Sequence, residues 1–301
     1  MSAIYLRGMA SKMMDDKKIV ASIIIPTLNP DKKLVNCISC LEQQSEKNFE
    51  IIIVDNGSNY DFKQIECTYE DINIIKNEKN FGFSKAVNIG IKNSNGKYFV
   101  LLNDDAHPPE NWLENLIKVA ESDKKNGLVT SKLRFNKAPY LIQNTGNTNS
   151  KRFGVAISGD IGRTVPLSEN GSEVLAPCGA ALLIKKEFID DVGFFDEDYF
   201  AYPSLYEGFG ICLLEAMYCG LPIVSTDNGG QTDFLVDGKN ALMVPVEDSE
   251  ALAGQIKRLI DDESLRLQMS ENNKKDIMKF YIENIAAKYE RFFEIILRRG
   301  E

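Results

Sequence analysis

Two neighbouring carboxylates, Asp104 and Asp105, close the apolar run Tyr98-Phe-Val-Leu-Leu102, with Asn103 between run and acids. Hard carboxylate oxygens at such a point suit Mg²⁺ or Mn²⁺ held against a diphosphate. The same letters also make a plain turn before a helix, because Asn and Asp bond their own backbone locally. His107 stands close enough to be weighed as a further ligand, although two residues past Asp105 and before Pro108 an exposed loop imidazole is the simpler reading.

Acids so placed need a buried strand behind them, and Tyr98 to Leu102 is short, aromatic and aliphatic throughout. Upstream, Ile19 to Thr27 predicts a strand ending around Pro26, then an Asn29-Pro30-Asp31 turn and a helix to about Gln44. Phe49 to Val54 repeats the pattern with Asp55-Asn56-Gly57-Ser58 at its carboxyl end, and Ile72 to Lys76 makes a third strand. Asn80-Phe-Gly-Phe83 opens a helix to about Asn93, whose Ala86, Val87, Ile89 and Gly90 give it an apolar, close-packing side. This alternation predicts parallel pairing. Four strand ends then converge on one rim, which is where open α/β sheets bind ligands. A diphosphate-sugar there would meet Thr27, Asn29 and Asp55 at base and ribose, the Gly82 turn by close backbone approach, and Asp105 through the metal.

The bulk numbers agree with a globular chain: 301 residues, 44% apolar and 26% charged, enough for one large or two modest domains. No apolar run reaches membrane-spanning length, and Met1 to Lys18 mixes charges without an apolar export core, so the expected location is the cytoplasm, with peripheral contact at the inner membrane face left open. A net charge of -9 argues against nucleic acid as a partner. The six cysteines are scattered through apolar patterns and read as free thiols. Cys37 and Cys40 have redox spacing, yet they fall within a predicted helix and lack a second pair for a zinc site.

Taken together, Ser22-Ile-Ile-Ile-Pro-Thr-Leu-Asn29, Ile53-Val-Asp-Asn-Gly-Ser58, Asn80-Phe-Gly-Phe-Ser-Lys-Ala-Val-Asn88 and Leu101-Leu-Asn-Asp-Asp105 resemble, in order and spacing, the family-2 glycosyltransferases of the GT-A fold. The nearest flavour is the bacterial rhamnosyltransferase-like branch, in which Asn-x-Asp often replaces the Asp-x-Asp metal motif. The resemblance covers residues 19–202 and implies a nucleotide-diphospho-sugar transferase with a Rossmann-like, mostly parallel α/β sheet. It further implies nucleotide contacts at Pro26, Thr27, Asn29, Asp55, Gly82, Asn88 and Asp104, and the metal at Asp105. Cys178 and Gly179, in the stretch Pro177 to Ile184 that resembles the strand beneath donor and acceptor, would touch the sugar. Gly127 to Gly171, rich in Asn, Gly and Ser, would shape the acceptor side.

From Pro203 the letters change. The family-2 pattern would continue with an acidic pair opening a helix, one carboxylate of which takes the acceptor's proton. Instead Tyr206-Glu-Gly-Phe-Gly210 and the residues to Asn240 resemble the carboxyl-terminal lobe of family-4, GT-B-fold, retaining glycosyltransferases. That resemblance makes Glu207 and Glu215 contacts to donor sugar and ribose; eight residues apart, they fall on nearly one helical face, and the helix start can receive a phosphate. The basic pair and the amino-terminal lobe of that family are missing.

The expected organisation is an extension over 1–18, a GT-A domain over 19–202, and an appended α/β segment over 203–301 that ends in helices near 249–260, 263–280 and 282–297. The apolar faces of those helices need a partner, either the first domain or a second subunit in a homo-oligomer. A helix over 206–218, stopped by Gly220 and followed by a strand at 223–225, reproduces the order due next in a GT-A protein. Glu207 is accordingly the expected catalytic base, against the plainer reading of an acid favoured by a helix dipole.

The resemblance thus implies a metal-dependent, inverting glycosyltransferase that moves a hexosyl or rhamnosyl group from a UDP-, dTDP- or GDP-sugar to a glycan or lipid-linked acceptor in polysaccharide synthesis. The alternative is a sugar-nucleotide-binding chimera or fusion with little transfer. A third reading, a retaining metal-independent GT-B enzyme, lacks most of its architecture.

Overall fold

The computed structural model describes residues 19–69, 72–144, 147–150, 155–158, 164, 174, 177–203 and 210–299. The expected extension over 1–18 lies outside them, as do parts of the Gly127 to Gly171 stretch. The chain divides into two compact units, Met1–Phe195 and Asp196–Glu301.

In the first unit, β1 (Ala21–Thr27), α1 (Lys32–Glu42), β2 (Phe49–Asp55), α2 (Lys63–Thr68), β3 (Ile72–Lys76), α3 (Phe83–Lys92), β4 (Tyr98–Leu102) and α4 (Trp112–Ser122) follow one another, the four strands, α1 and α3 where the letters predict them. After β5 (Leu128–Thr130) come two antiparallel pairs, β6 (Leu133–Phe135) with β7 (Ala138–Asn144) and β8 (Asn147–Ser150) with β9 (Val155–Ser158). The chain then returns through β10 (Ala181–Lys185) and α5 (Lys186–Val192). The main sheet has six strands in the order β3-β2-β1-β4-β10-β5; the first four run parallel and β10 is antiparallel to both its neighbours.

Side-chain alternation along these strands fills two cores. Ile23, Ile25, Ile53, Val100 and Leu102 pack with Leu34, Ile38 and Leu41 of α1 and Leu113 and Leu116 of α4. Ile24, Ile52, Val54 and Leu101 pack with Ala86, Val87 and Ile91 of α3 on the opposite face. Strands covered on both sides explain the unbroken aliphatic runs. Gly90 brings α3 close to the sheet: a Cβ there would stand 2.4 Å from Ile24 Cγ2.

One irregularity in this sheet bears on function. β1 stays paired with β2 as far as Thr27 opposite Asp55, but its pairing with β4 ends at Ile24 opposite Leu101. The Thr27 carbonyl accepts from Asn56 N at 2.8 Å, toward β2, so by strand alternation the ring nitrogen of Pro26 turns toward β4, where the ladder has stopped. A central strand tolerates proline at this point because no donor is needed there. Strand order also reverses between β1 and β4, the switch point at which α/β sheets hold ligands.

The second unit is built on its own sheet of three parallel strands, β11 (Phe200–Tyr202), β12 (Ile223–Asp227) and β13 (Ala241–Pro245). Phe200–Tyr202, which the resemblance put at the end of the first domain, pairs instead with Ile223–Ser225. α6 (Ile211–Tyr218) lies on this sheet through Leu213, Ala216 and Met217, packed with Ile223, Phe234 and Ile277. α7 (Ser249–Asp261) and α8 (Glu263–Asp276) bury Leu259 and Met269 against Val224 and Leu242. Asp248 and Asp262 cap these two helices, accepting from Ala251 N and Leu265 N. Gly220, with φ of 72°, follows the end of α6 in the expected place. The helix predicted over 263–280 ends as a 3-10 turn, Ile277–Phe280, and α9 (Ile282–Arg299) follows.

Candidate functional site

Where β1 and β4 part, their ends are joined by side chains. Thr27, buried at the end of β1, donates from Oγ1 to Asp104 Oδ2 at 2.5 Å. Asp55, its register partner on β2, is buried, and its Oδ1 accepts from Ser58 N at 3.0 Å, which folds the strand end into a turn. Asp104 is half-buried and Asp105 is exposed. Beneath the acids, Cys37 of α1 points its Sγ at the Asn103 carbonyl, 3.7 Å away. Burial first, then Cys40, Asp104 and Asp105, push the Cys37 thiol up to about 12, so it stays protonated there.

The neighbouring wall is made by a residue whose role the letters did not reveal. Asn56 is buried and saturates its amide: Nδ2 donates to Asn80 Oδ1 at 2.7 Å and to the Gly82 carbonyl at 3.2 Å. Its Oδ1 accepts from Asn77 Nδ2 and from Phe81 N, both at 3.1 Å. Asn80 in turn receives Gly82 N at 2.9 Å. Gly82, at φ of 86°, turns the chain into α3. Gly57, at φ of 88°, lets the strand end approach this loop, since a Cβ would stand 2.4 Å from the Lys79 backbone. The only signal in the sequence was the density of asparagines at 56, 77 and 80.

Cys178 and Gly179 reach the same rim. Asn103 N donates to the Ala180 carbonyl at 2.9 Å, and Thr130 Oγ1 bonds the Cys178 carbonyl and N at 3.0 and 3.2 Å. Among the described residues, nothing stands nearer to a Cβ on Gly179 than Phe83 Cζ at 4.0 Å, so they leave the space above this turn open. Asn29, exposed at φ of 56°, and half-buried Pro26 complete the β1 end.

Other expected residues stand elsewhere. Asn88 is buried and bonds the backbone of Phe195, donating to the carbonyl at 2.7 Å and accepting from N at 3.0 Å, which ties α3 to that segment. Glu215 is exposed on α6 in the second unit, where burial first and then its charge raise the Cys219 thiol to about 11. Glu207 lies outside the described residues. His107 is exposed.

Among the described residues, no group of three or more His, Cys, Asp and Glu gathers as an all-protein metal cage. Asp104 and exposed Asp105 instead offer adjacent carboxylates, the set that Mg²⁺ uses when substrate phosphates and water complete its shell. These residues fit a bridging hard cation.

Residues 22–193 match the family model described as Glycosyl transferase family 2, and residues 194–276 match that described as Glycosyl transferases group 1. The chain is similar to the capsular polysaccharide biosynthesis glycosyltransferase CapM of Staphylococcus aureus, 30% identical over 122 residues that make 40% of this chain and 32% of the relative. It is also similar to glycosyltransferase AglE of Haloferax volcanii, 24% identical over 178 residues that make 57% of this chain and 54% of that one. Among solved structures, S. aureus TarS 1-349 aligns with 66% of this chain and 55% of its own at 18% identity and a TM-score of 0.44. The chain spans between about a third and about half of the length of the two curated relatives.

Proposed function

The chain belongs to glycosyl transferase family 2, and from that premise we propose that it binds a nucleotide-diphospho-sugar in the crevice between the ends of β1 and β4 and transfers the sugar to a glycan or lipid-linked hydroxyl. The observation that carries this reading is the meeting of Thr27, Asp55 and Asp104, from three neighbouring strands, where strand order reverses.

Asp55, Thr27, Asn29 and Pro26 line the strand ends that take the nucleoside. Gly82 turns the chain into α3, whose first turn has no side-chain cap and whose terminus favours an anion. The open turn at Cys178 and Gly179 leaves room for the sugar. Asp104, held by Thr27, and Asp105 would hold Mg²⁺ or Mn²⁺. When bound, that ion supplies positive charge against the departing diphosphate. UDP-, dTDP- and GDP-sugars share this diphosphate, and a single in-line displacement by an acceptor hydroxyl would invert the anomeric carbon. No helix among the described residues is long and apolar enough to cross a membrane, and the proposed work is polysaccharide synthesis on the cytoplasmic side.

A second reading, donor binding without useful transfer, has one observation in its favour. Pro203-Ser204 stands where the family pattern would open a helix with an acidic pair. Without a general base a transferase loses roughly 10²- to 10⁴-fold in rate. Glu207, named from its place in the letters alone, is the proposed replacement.

Thermal-shift titration with UDP-, dTDP- and GDP-sugars, with and without Mn²⁺, tests the binding claim. A shift that needs Mn²⁺ and is lost in Asp105→Ala supports it; a folded protein indifferent to all three sugars sinks it. Release of nucleoside diphosphate in the presence of glycan acceptors then separates the two readings, and Glu207→Gln with undiminished release removes that glutamate from the chemistry.

A further inference from the structure

Among the described residues, nothing in the fold requires position 179 to be glycine. Gly179 does not have a positive φ, and the one described atom within 4 Å of a Cβ placed on it is Phe83 Cζ, at 4.0 Å. Left-handed backbone and close packing are the usual demands for this residue, and neither operates here. What the missing side chain keeps is space.

That space has a fixed floor beside the acids. Thr130 Oγ1 bonds both the carbonyl and the N of Cys178, and Asn103 N bonds the Ala180 carbonyl at 2.9 Å. Asn103 directly precedes Asp104 and Asp105, so the turn at Gly179 is tied to the strand end whose carboxylates would hold the diphosphate through the metal.

Phe83 stands at the edge of this space. It opens α3, three and four residues ahead of buried Ala86 and Val87, and therefore carries the apolar stripe of the helix past the end of the core. There it is 49% exposed. The backbone leading into it is held: Phe81 N bonds Asn56 Oδ1, Gly82 N bonds Asn80 Oδ1, and the Gly82 carbonyl accepts from Asn56 Nδ2.

We infer that Phe83 is the platform against which the donor's sugar lies, with Gly179 leaving the room for it. A pyranose carries its hydroxyls around its rim and C–H groups on its faces, and a flat aromatic ring is the apolar surface that such a face covers. The ligand is thus a nucleotide-bound pyranose offering a C–H face, and Phe83 acts on the sugar half of the donor and not on the nucleoside. This presupposes donor binding at the ends of β1 and β4 and adds to it the residue that holds the sugar.

Calorimetric titration of the full chain with Mn²⁺ tests it, using UDP-glucose, dTDP-rhamnose and GDP-mannose, each beside its own nucleoside diphosphate. Phe83→Ala should weaken binding of the sugar nucleotide about tenfold and leave that of the nucleoside diphosphate unchanged, while Phe83→Trp keeps both. Gly179→Val, which fills the space, should weaken the sugar nucleotide at least as far, again with the parent's affinity for the nucleoside diphosphate and the parent's melting temperature. Equal losses for both ligands in Phe83→Ala would overturn the inference, since the ring would then serve the nucleoside or the loop. No loss in Phe83→Ala would overturn it as well, as would a Gly179→Val protein that binds the sugar nucleotide like the parent. A parent that takes the nucleoside diphosphates but none of the three sugar nucleotides overturns this inference alone; one that takes neither removes donor binding itself, and the platform with it.

Discussion

Thr27 Oγ1 reaches Asp104 Oδ2 across 2.5 Å and 77 residues of sequence, joining the ends of two strands whose backbones have already separated. A hydrogen bond to a charged acceptor is worth about 1.5–3 kcal/mol, and one this close to solvent falls at the lower end. Thr27→Val should lower unfolding stability by about 1–2 kcal/mol and weaken any Mn²⁺-dependent nucleotide-sugar shift, while Thr27→Ser keeps most of both. Urea unfolding with the three proteins side by side reads the first effect. Equal stability of the Val variant and its parent would show the bond idle.

Asn56→Ala strands several buried partners at once, at about 1–3 kcal/mol for each group left unsatisfied. A loss of about 2–4 kcal/mol is expected. The amides of Asn77 to Gly82 should exchange with deuterium much faster in the variant, while those of β10 stay protected. Unaltered exchange in the loop would mean that Asn56 does not hold it.

Two glycine substitutions should move stability in opposite directions. Gly57→Ala forces a side chain onto φ of 88° and against the Lys79 backbone, and should cost about 1–3 kcal/mol. Gly254→Ala, in the interior of α7 with nothing among the described residues within 4 Å of the added methyl, should gain about 0.5–1 kcal/mol. Chemical denaturation of both reads the contrast. Matching signs would contradict the placement of one of them.

Cysteine chemistry offers a check on the acids. Burial, then Cys40, Asp104 and Asp105, hold the Cys37 thiol at about 12, whereas Cys67 is exposed. At mildly alkaline pH, iodoacetamide should label Cys67 early and leave Cys37 until unfolding. Mass mapping of alkylated peptides over time decides this, and early modification of Cys37 would be the contrary result.

Asp276, in α8, carries a pH dependence. Burial would raise its carboxyl, but bonds from Lys239 at 2.6 Å and Lys279 at 3.0 Å outweigh burial and leave it lowered. A lowered carboxyl contributes stability that is complete above its unfolded value, near 4, and is lost as pH falls through the folded value. Asp276→Asn should therefore melt earlier than the parent at neutral pH, and the two melting temperatures should converge as the pH is taken down through and below the unfolded carboxyl value. A constant gap across that range would assign the effect to something other than the carboxylate.

How far the letters reached depends on how local each feature is. β1, β2 and β4 were legible because each carries an aliphatic run, and Asp104 and Asp105 because they follow one. The antiparallel return was less so: β5 has three residues and meets β10 only after a long excursion. Phe200–Tyr202 is as short, and three residues cannot say which sheet they join. Asn88 sits inside a recognisable motif, but its partner, Phe195, is 107 residues on. Asn56 was passed over because Asp55 beside it has the more obvious chemistry, while the amide's work is seen only when four distant groups close around it.

Pro26 has a kinetic corollary. Its ring nitrogen offers β4 nothing to bond, so the two strands cannot zip shut above Ile24 in the resting protein. A guest arriving there finds the gap already standing and need not prise backbones apart. Association should then follow encounter rates and second-order kinetics without a slow unimolecular opening phase.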